Sequence, residues 1–258
     1  MSLDVYPAPS VTDYWLAIAK GEVPGHSVVN KFGRNPSVPN GSWAGVLSQG
    51  GLFPWLTAAT TVRIKAGGNA ADTAAGLGAQ SILVTGLDGT GVEISEIIVT
   101  AGASASASTS LSFLRPVRAY VVDAGTYGGS CTGTITIENT AGTQDLLELP
   151  AGFGQTLFCG YSIPLGYTGY LTGIDLQSDA VKTVDFRLKT RANLLDVTTP
   201  FSPALVKYYW AGILGTFAHD PPSPLLTLQP LTDIWVEAYG GGAITEVSAQ
   251  LEILLVLN

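Results

Sequence analysis

Two stretches of alternation constrain this chain more than any other feature. Val184, Phe186 and Leu188 interleave with Asp185, Arg187 and Lys189, and Thr245, Val247, Ala249, Leu251 and Ile253 interleave with Glu246, Ser248, Gln250 and Glu252. A period of two sends each set to its own face of a strand, so both segments are predicted to be antiparallel strands with one packed and one wet face. At Leu254 and Val256 both faces become apolar, which predicts that the last strand ends inside the fold.

Similar signals recur at Thr60–Lys65, Gln80–Thr85, Glu93–Thr100, Val117–Asp123, Thr132–Glu138, Thr156–Phe158, Tyr167–Gln177, Val181–Thr190, Val206–Leu214 and Ile234–Tyr239. Turn residues separate them. In Leu87-Asp88-Gly89-Thr90-Gly91 the Asp-Gly pair supplies the positive φ of a hairpin, and Asp123-Ala124-Gly125 and Asn139-Thr140-Ala141-Gly142-Thr143 punctuate later strands. With 31 Gly, 15 Pro and only 12% charged residues, the composition suits short strands and tight turns better than helices. The fold class expected is all-β, an antiparallel β-sandwich of jelly-roll type, with roughly 12 to 16 short strands.

Residues 1–58 read differently. Pro7, Pro9, Pro24, Pro36, Pro39 and Pro54 leave little room for regular structure, and the segment is expected to be an extended arm joined to a sandwich domain at 59–258, with 193–202 as a possible subdivision. Its one helix candidate is Val11–Lys20, with Ser10 or Thr12 as cap and Trp15, Leu16 and Ala19 on one face. The arm also holds Phe32, Trp43, Phe53 and Trp55, too many aromatics for a disordered tail, so it is expected to dock either on the chain's own sheet or on a neighbouring subunit. Ala101–Ser110, all small or polar apart from its alanines, is either a mobile loop or an edge strand packed closely on a neighbouring backbone.

Chemistry-bearing residues are sparse. Of the two histidines, His26 sits beside Pro24 and Gly25, and His219 precedes Asp220-Pro221-Pro222 in an expected turn; no Gly-x-Ser-x-Gly accompanies them. Cys131 and Cys159 match no metal spacing and read as buried reduced thiols. The glycine-rich stretches 86–91, 125–129 and 240–242 lack the Lys-Ser/Thr ending of a phosphate loop. Asp175, Asp179 and Asp185 lack the spacing of a calcium loop, and Tyr161, Tyr167 and Tyr170 read as core or interface before sugar groove. No catalytic, cofactor or metal residues are assigned, and the chain is not expected to be an enzyme.

A net charge of −8 opposes nucleic-acid binding, and no run approaches the roughly 20 apolar residues of a membrane helix. Mean hydropathy of +0.32 with 46% hydrophobic residues is high for a soluble monomer and points to surface hidden in self-association or against a partner.

Lys31-Phe32-Gly33-Arg34-Asn35-Pro36, Trp43, Gly50-Gly51-Leu52-Phe53-Pro54-Trp55, Gly86-Leu87-Asp88 with Glu93-Ile94-Ser95-Glu96, and Arg115-Pro116-Val117-Arg118-Ala119-Tyr120 follow in an order that resembles virion structural proteins of tailed bacteriophages. Thr134-Ile135-Thr136-Ile137, Tyr161-Ser162-Ile163-Pro164 and Gly169-Tyr170-Leu171-Thr172 continue the resemblance. It implies a β-rich particle component assembled in the bacterial cytoplasm, of head-decoration, head-fibre or tail type. An acidic, apolar-rich β domain with an aromatic arm suits a decoration protein on the major capsid protein, forming homotrimers at local threefold points, with Phe32, Trp43, Phe53 and Trp55 contacting capsid or subunit. The alternatives are a tail or neck protein with a receptor- or polysaccharide-binding surface, and a carbohydrate-binding module or hydrolase.

Overall fold

In the computed structural model, which describes residues 13–179, 182–219, 225–241 and 245–258, the two alternating segments become strands of two facing five-stranded sheets. The first sheet runs β1 (His26–Val38), β16 (Thr245–Leu257), β10 (Tyr167–Ser178), β13 (Thr216–His219), with β14 (Thr227–Leu228) also on β10. The second runs β12 (Leu205–Ile213), β11 (Val184–Arg191), β15 (Asp233–Gly240), β2 (Trp43–Gly45), with β9 (Gly160–Ser162) also on β15. Leu171, Ile174, Val247, Leu251 and Ile253 from the first sheet meet Val184, Phe186, Leu188, Ile234 and Val236 from the second in one buried core. Each such side chain contributes about 1.5 to 3 kcal/mol when fully buried, which is why the alternation fixes the register.

Between β2 and β9 the chain builds a smaller pair of sheets around a second core. One is β3 (Val62–Ile64), β7 (Ile135–Asn139), β8 (Asp145–Leu149); the other is β5 (Glu93–Val99), β4 (Ala79–Leu87), β6 (Arg115–Ala124). Ile64, Ile137 and Leu147 face Ile82, Val84 and Ala119, and Leu47, Phe158, Leu194 and Trp235 from the larger sandwich complete the cluster. The second core therefore rests on the back of the β12–β11–β15–β2 sheet. All strand pairings are antiparallel.

The all-β reading holds, but the two-sheet jelly roll does not describe this architecture, because local hairpins such as β4–β5 and β7–β8 close into small sheets with a core of their own. The extended arm is also corrected in part: residues 26–38 form a 13-residue strand paired along β16, and residues 43–45 pair with β15. Gly33 allows the close approach this needs, since a Cβ there would lie 2.2 Å from the Val46 carbonyl oxygen and 2.4 Å from the Cys159 nitrogen. Helix α1 (Tyr14–Ala19) is shorter than expected and is capped by Asp13, which accepts from the Trp15 and Leu16 nitrogens; Ser10 and Thr12 lie outside the described residues. Residues 193–202 connect β11 to β12, hydrogen-bonded neighbours in one sheet, and Leu194 among them is fully buried.

Two turns refine the sequence reading. The β4–β5 hairpin forms, but its positive φ falls at Gly91 rather than Gly89, because the Asp88 carboxylate folds a five-residue loop by accepting from Thr90 and Val92. The Ala101–Ser110 segment forms no strand yet lies along β3, where the Ser106 and Thr109 hydroxyls accept from the Ile64 and Val62 nitrogens while their own nitrogens donate to the carbonyls of those residues. Side-chain oxygens here stand in for a missing ladder of carbonyls.

Candidate functional site

The back of the β11–β15 sheet is where opposite charges are stacked by register. Arg187 faces Glu237, Lys189 faces Trp235, and Arg191 faces Asp233 across the two strands. Asp233, fully buried, accepts from Arg191 at 2.5 Å, from the Ser162 hydroxyl at 2.6 Å and from Arg115 of β6 at 3.1 Å. Arg115 continues to the Leu56 and Leu114 carbonyls, so one ion cluster bolts the small sandwich to the large one. Burial pulls the Arg115 guanidinium down, against the opposing pull of Asp233. Glu237 accepts from Arg187, from Lys189 and from the Trp235 indole at 2.7 Å. The face expected to be wet is thus largely covered, its cations paired with two buried carboxylates.

Three of the four aromatics expected to contact a capsid belong to this joint. Trp43 lies 4.0 Å under the Arg187 guanidinium and beside Tyr209 and Tyr239. Phe53 is buried and stacked on Trp55 at 5.4 Å, and both rings meet Phe158 and Trp235 edge-on or tilted. Arg115 sits 5.3 Å over Trp55. Phe53 and Trp55 therefore pack on the chain's own sheet, because the cations of that sheet need π-faces and the second core needs bulk. Phe32 alone projects outward, 37% exposed on β1.

The surface that does stand free was not singled out in the sequence. On the outer face of the β5–β4–β6 sheet, Leu83 pairs with Ile97 on one side and Tyr120 on the other, giving an apolar row across three strands. Ile97 is 53% exposed, and Val99 and Val122 extend the row. Ser81 and Asp123, joined by a 2.6 Å hydrogen bond, border it at one end and Thr85 with Arg118 at the other. A signal was present in Ile94, Ile97 and Ile98, which put apolar residues on both faces of β5. Elsewhere, edge strand β12 exposes Leu205, Val206 and Tyr209, and α1 exposes Tyr14, Trp15 and Leu16. Contiguous apolar surface marks contact sites in soluble proteins.

Phe32 borders two polar hollows of about 370 and 340 Å³ on the outside of the first sheet, lined by Arg34, Asp175, Gln177, Glu246, Ser248 and Gln250. Arg34 and Glu246 there form a bidentate pair, which raises the arginine and lowers the glutamate from their ordinary values.

Nothing catalytic assembles among the described residues. Asp185 accepts from the Tyr209 hydroxyl and the Gly212 nitrogen, Asp175 lies on β10, and no group of three potential metal ligands forms among the described residues. Tyr161 and Tyr167 pack in the first core. His26 donates to the Pro24 carbonyl beside the Tyr14 ring. Asp220, Pro221 and Pro222 lie outside the described residues, as does the end of the 240–242 stretch. Cys131 and Cys159 are buried and free, as read from the sequence. Among the described residues no helix is long and apolar enough to cross a membrane.

No family model matches the chain, and no curated protein matches it. Among solved structures it is similar to chains of infectious bursal disease virus: the Gx strain (7% identity, 90% of this chain and 71% of that one, TM-score 0.25), the T13 viral particle (12%, 90% and 70%, 0.24) and the VP2 subviral particle (10%, 91% and 72%, 0.23).

Proposed function

We propose that this chain is a structural protein of a virus particle, and within that class a decoration protein of a tailed-phage head whose partners are the major capsid protein and further copies of itself. The observation that carries the reading is the Ile97–Leu83–Tyr120 row with Val99 and Val122, an apolar sheet face left open in a protein that buries charge efficiently elsewhere. Such a face is stable only in small area unless another protein covers it. The order of motifs seen in the sequence supplies the class of partner.

The polar hollows beside Phe32 favour a second reading, a tail or neck protein with a polysaccharide-binding surface. Quantitative mass spectrometry of purified particles, heads and tails separated, distinguishes the two. About one copy per shell subunit in heads is the expected result. A few copies confined to tails would move the assignment to the second reading, and absence from particles would overturn both.

A further inference from the structure

Among the described residues, Lys31 is the one lysine whose side chain is buried without an acid. It occupies an inward position of β1, opposite Leu251, and only 3% of it is exposed. Its ammonium donates to the Val117 carbonyl of β6 at 2.5 Å and lies 5.7 Å over the Phe158 ring. Among the described residues no carboxylate comes within 4.0 Å of it. Among the described residues, buried Arg115, Glu138, Asp233 and Glu237 are ion-paired, and buried Asp72 accepts from the Ala79, Thr132 and Gly133 nitrogens, because a buried charge needs such compensation. Lys31 has one carbonyl and no acid.

A second cation faces the same space. Arg118 donates to the Asn30 carbonyl and, with Lys31, Val29, Val117 and Tyr161, walls a cavity of about 110 Å³; a larger hollow of about 380 Å³ opens beside the same two cations. The other titratable groups around the ammonium do not neutralise it. Glu93 reaches the cavity from β5 without forming an ion pair with either cation, Tyr161 stands over it from β9 with its phenol pushed up by burial, and Cys159 is held as a neutral thiol, burial pushing it up to about 12.

We propose that the space between Lys31 and Arg118 binds one small oxyanion, a carboxylate or a phosphate, which serves as counterion to both and fastens β1 to β6. The cavity has the volume of a few water molecules, which suits acetate or phosphate. Burial and then the Arg118 charge lower Lys31 to about 7, so the site is doubly cationic in mildly acid solution and loses one charge in mildly alkaline solution. Anion binding weakens accordingly as pH rises.

The test uses the full chain and two probes, sodium acetate and sodium phosphate, titrated against sodium chloride at fixed ionic strength, with calorimetric binding and thermal midpoint read at pH about 6 and about 8. Acetate is expected to bind one site and raise the midpoint more at the lower pH. Lys31→Met, which keeps the volume and drops the charge, is expected to have a higher midpoint than wild type in chloride and to lose the acetate response. Arg118→Gln, at a position on the surface, is expected to weaken the response severalfold and covers the case in which Lys31→Met fails to fold. Equal responses of wild type and either variant to acetate, or a wild-type response independent of pH, would overturn the site. Neither outcome bears on particle membership, which rests on the apolar Ile97–Leu83–Tyr120 row that Arg118 only borders.

Discussion

Asp233, Glu237 and Arg115 sit inside this molecule, whereas Ile97, Val99 and Tyr120 sit on its outside. Both regions are backs of antiparallel sheets, built from the same alternation of side chains. The β11–β15 back turns charges inward and survives because each carboxylate meets one cation at its register position, a second from Arg115 or Lys189, and a further donor from Ser162 or Trp235. The β5–β4–β6 back turns apolar groups outward, and Ile97, Val99 and Val122 stand exposed there among the described residues. Polarity alone thus does not say which face of a strand is interior; the availability of partners does.

The comparison breaks most visibly at the ion cluster. Asp233→Ala leaves Arg115 and Arg191 facing each other without an acid, and urea unfolding is expected to show a loss of about 3 to 5 kcal/mol; a loss under 1 kcal/mol would mean that the charged back is an ordinary solvated face. Lys31 sharpens the contrast, since it is buried without compensation. Its folded value near 7 lies below its ordinary 10.5, so between those limits the unfolded chain holds a proton that the folded chain has released. Stability relative to Lys31→Met is therefore expected to rise with pH through this window by up to about 1.4 kcal/mol per unit and to level off below pH about 7. Parallel pH profiles for the two proteins would contradict it.

Smaller effects belong to single hydrogen bonds. Thr109→Ala removes the acceptor for the buried Val62 nitrogen and is expected to cost about 1 to 2 kcal/mol, with faster amide exchange along β3. Smallest of all is the open face: Ile97→Ser should shift the folding free energy by only about 0.5 kcal/mol, because more than half of that side chain is already in water.

The strands with clean alternation were legible from sequence because their inward residues are apolar apart from one threonine each, as in β11 and β16. Strand β1 was not, since its inward positions hold Val29, Lys31, Gly33 and Asn35 while Val28 and Phe32 point out. Lys31 and Asn35 are tolerated there through the Val117 and Gly45 carbonyls, partners 86 and 10 residues away that no local pattern reveals. Strand β8 escaped for the converse reason: Leu146, Leu147 and Leu149 leave no alternation to read. The aromatics of the candidate site were visible as a group, but an aromatic ring looks the same in sequence whether its partner is internal or foreign. Phe53 and Trp55 found Trp235, far along the chain. The exposed row needed the pairing of Leu83 with Tyr120 across β4 and β6, which only the folded register supplies.

The most direct test of the central claim, that the open β5–β4–β6 face binds a partner in the particle, is cosedimentation of purified protein with particles lacking it, comparing wild type with the Ile97→Asp, Tyr120→Asp double variant. The expected result is saturable binding of wild type and none of the variant, whose thermal midpoint stays near that of wild type. Equal binding by both proteins would contradict the claim and leave the apolar row without a role in assembly.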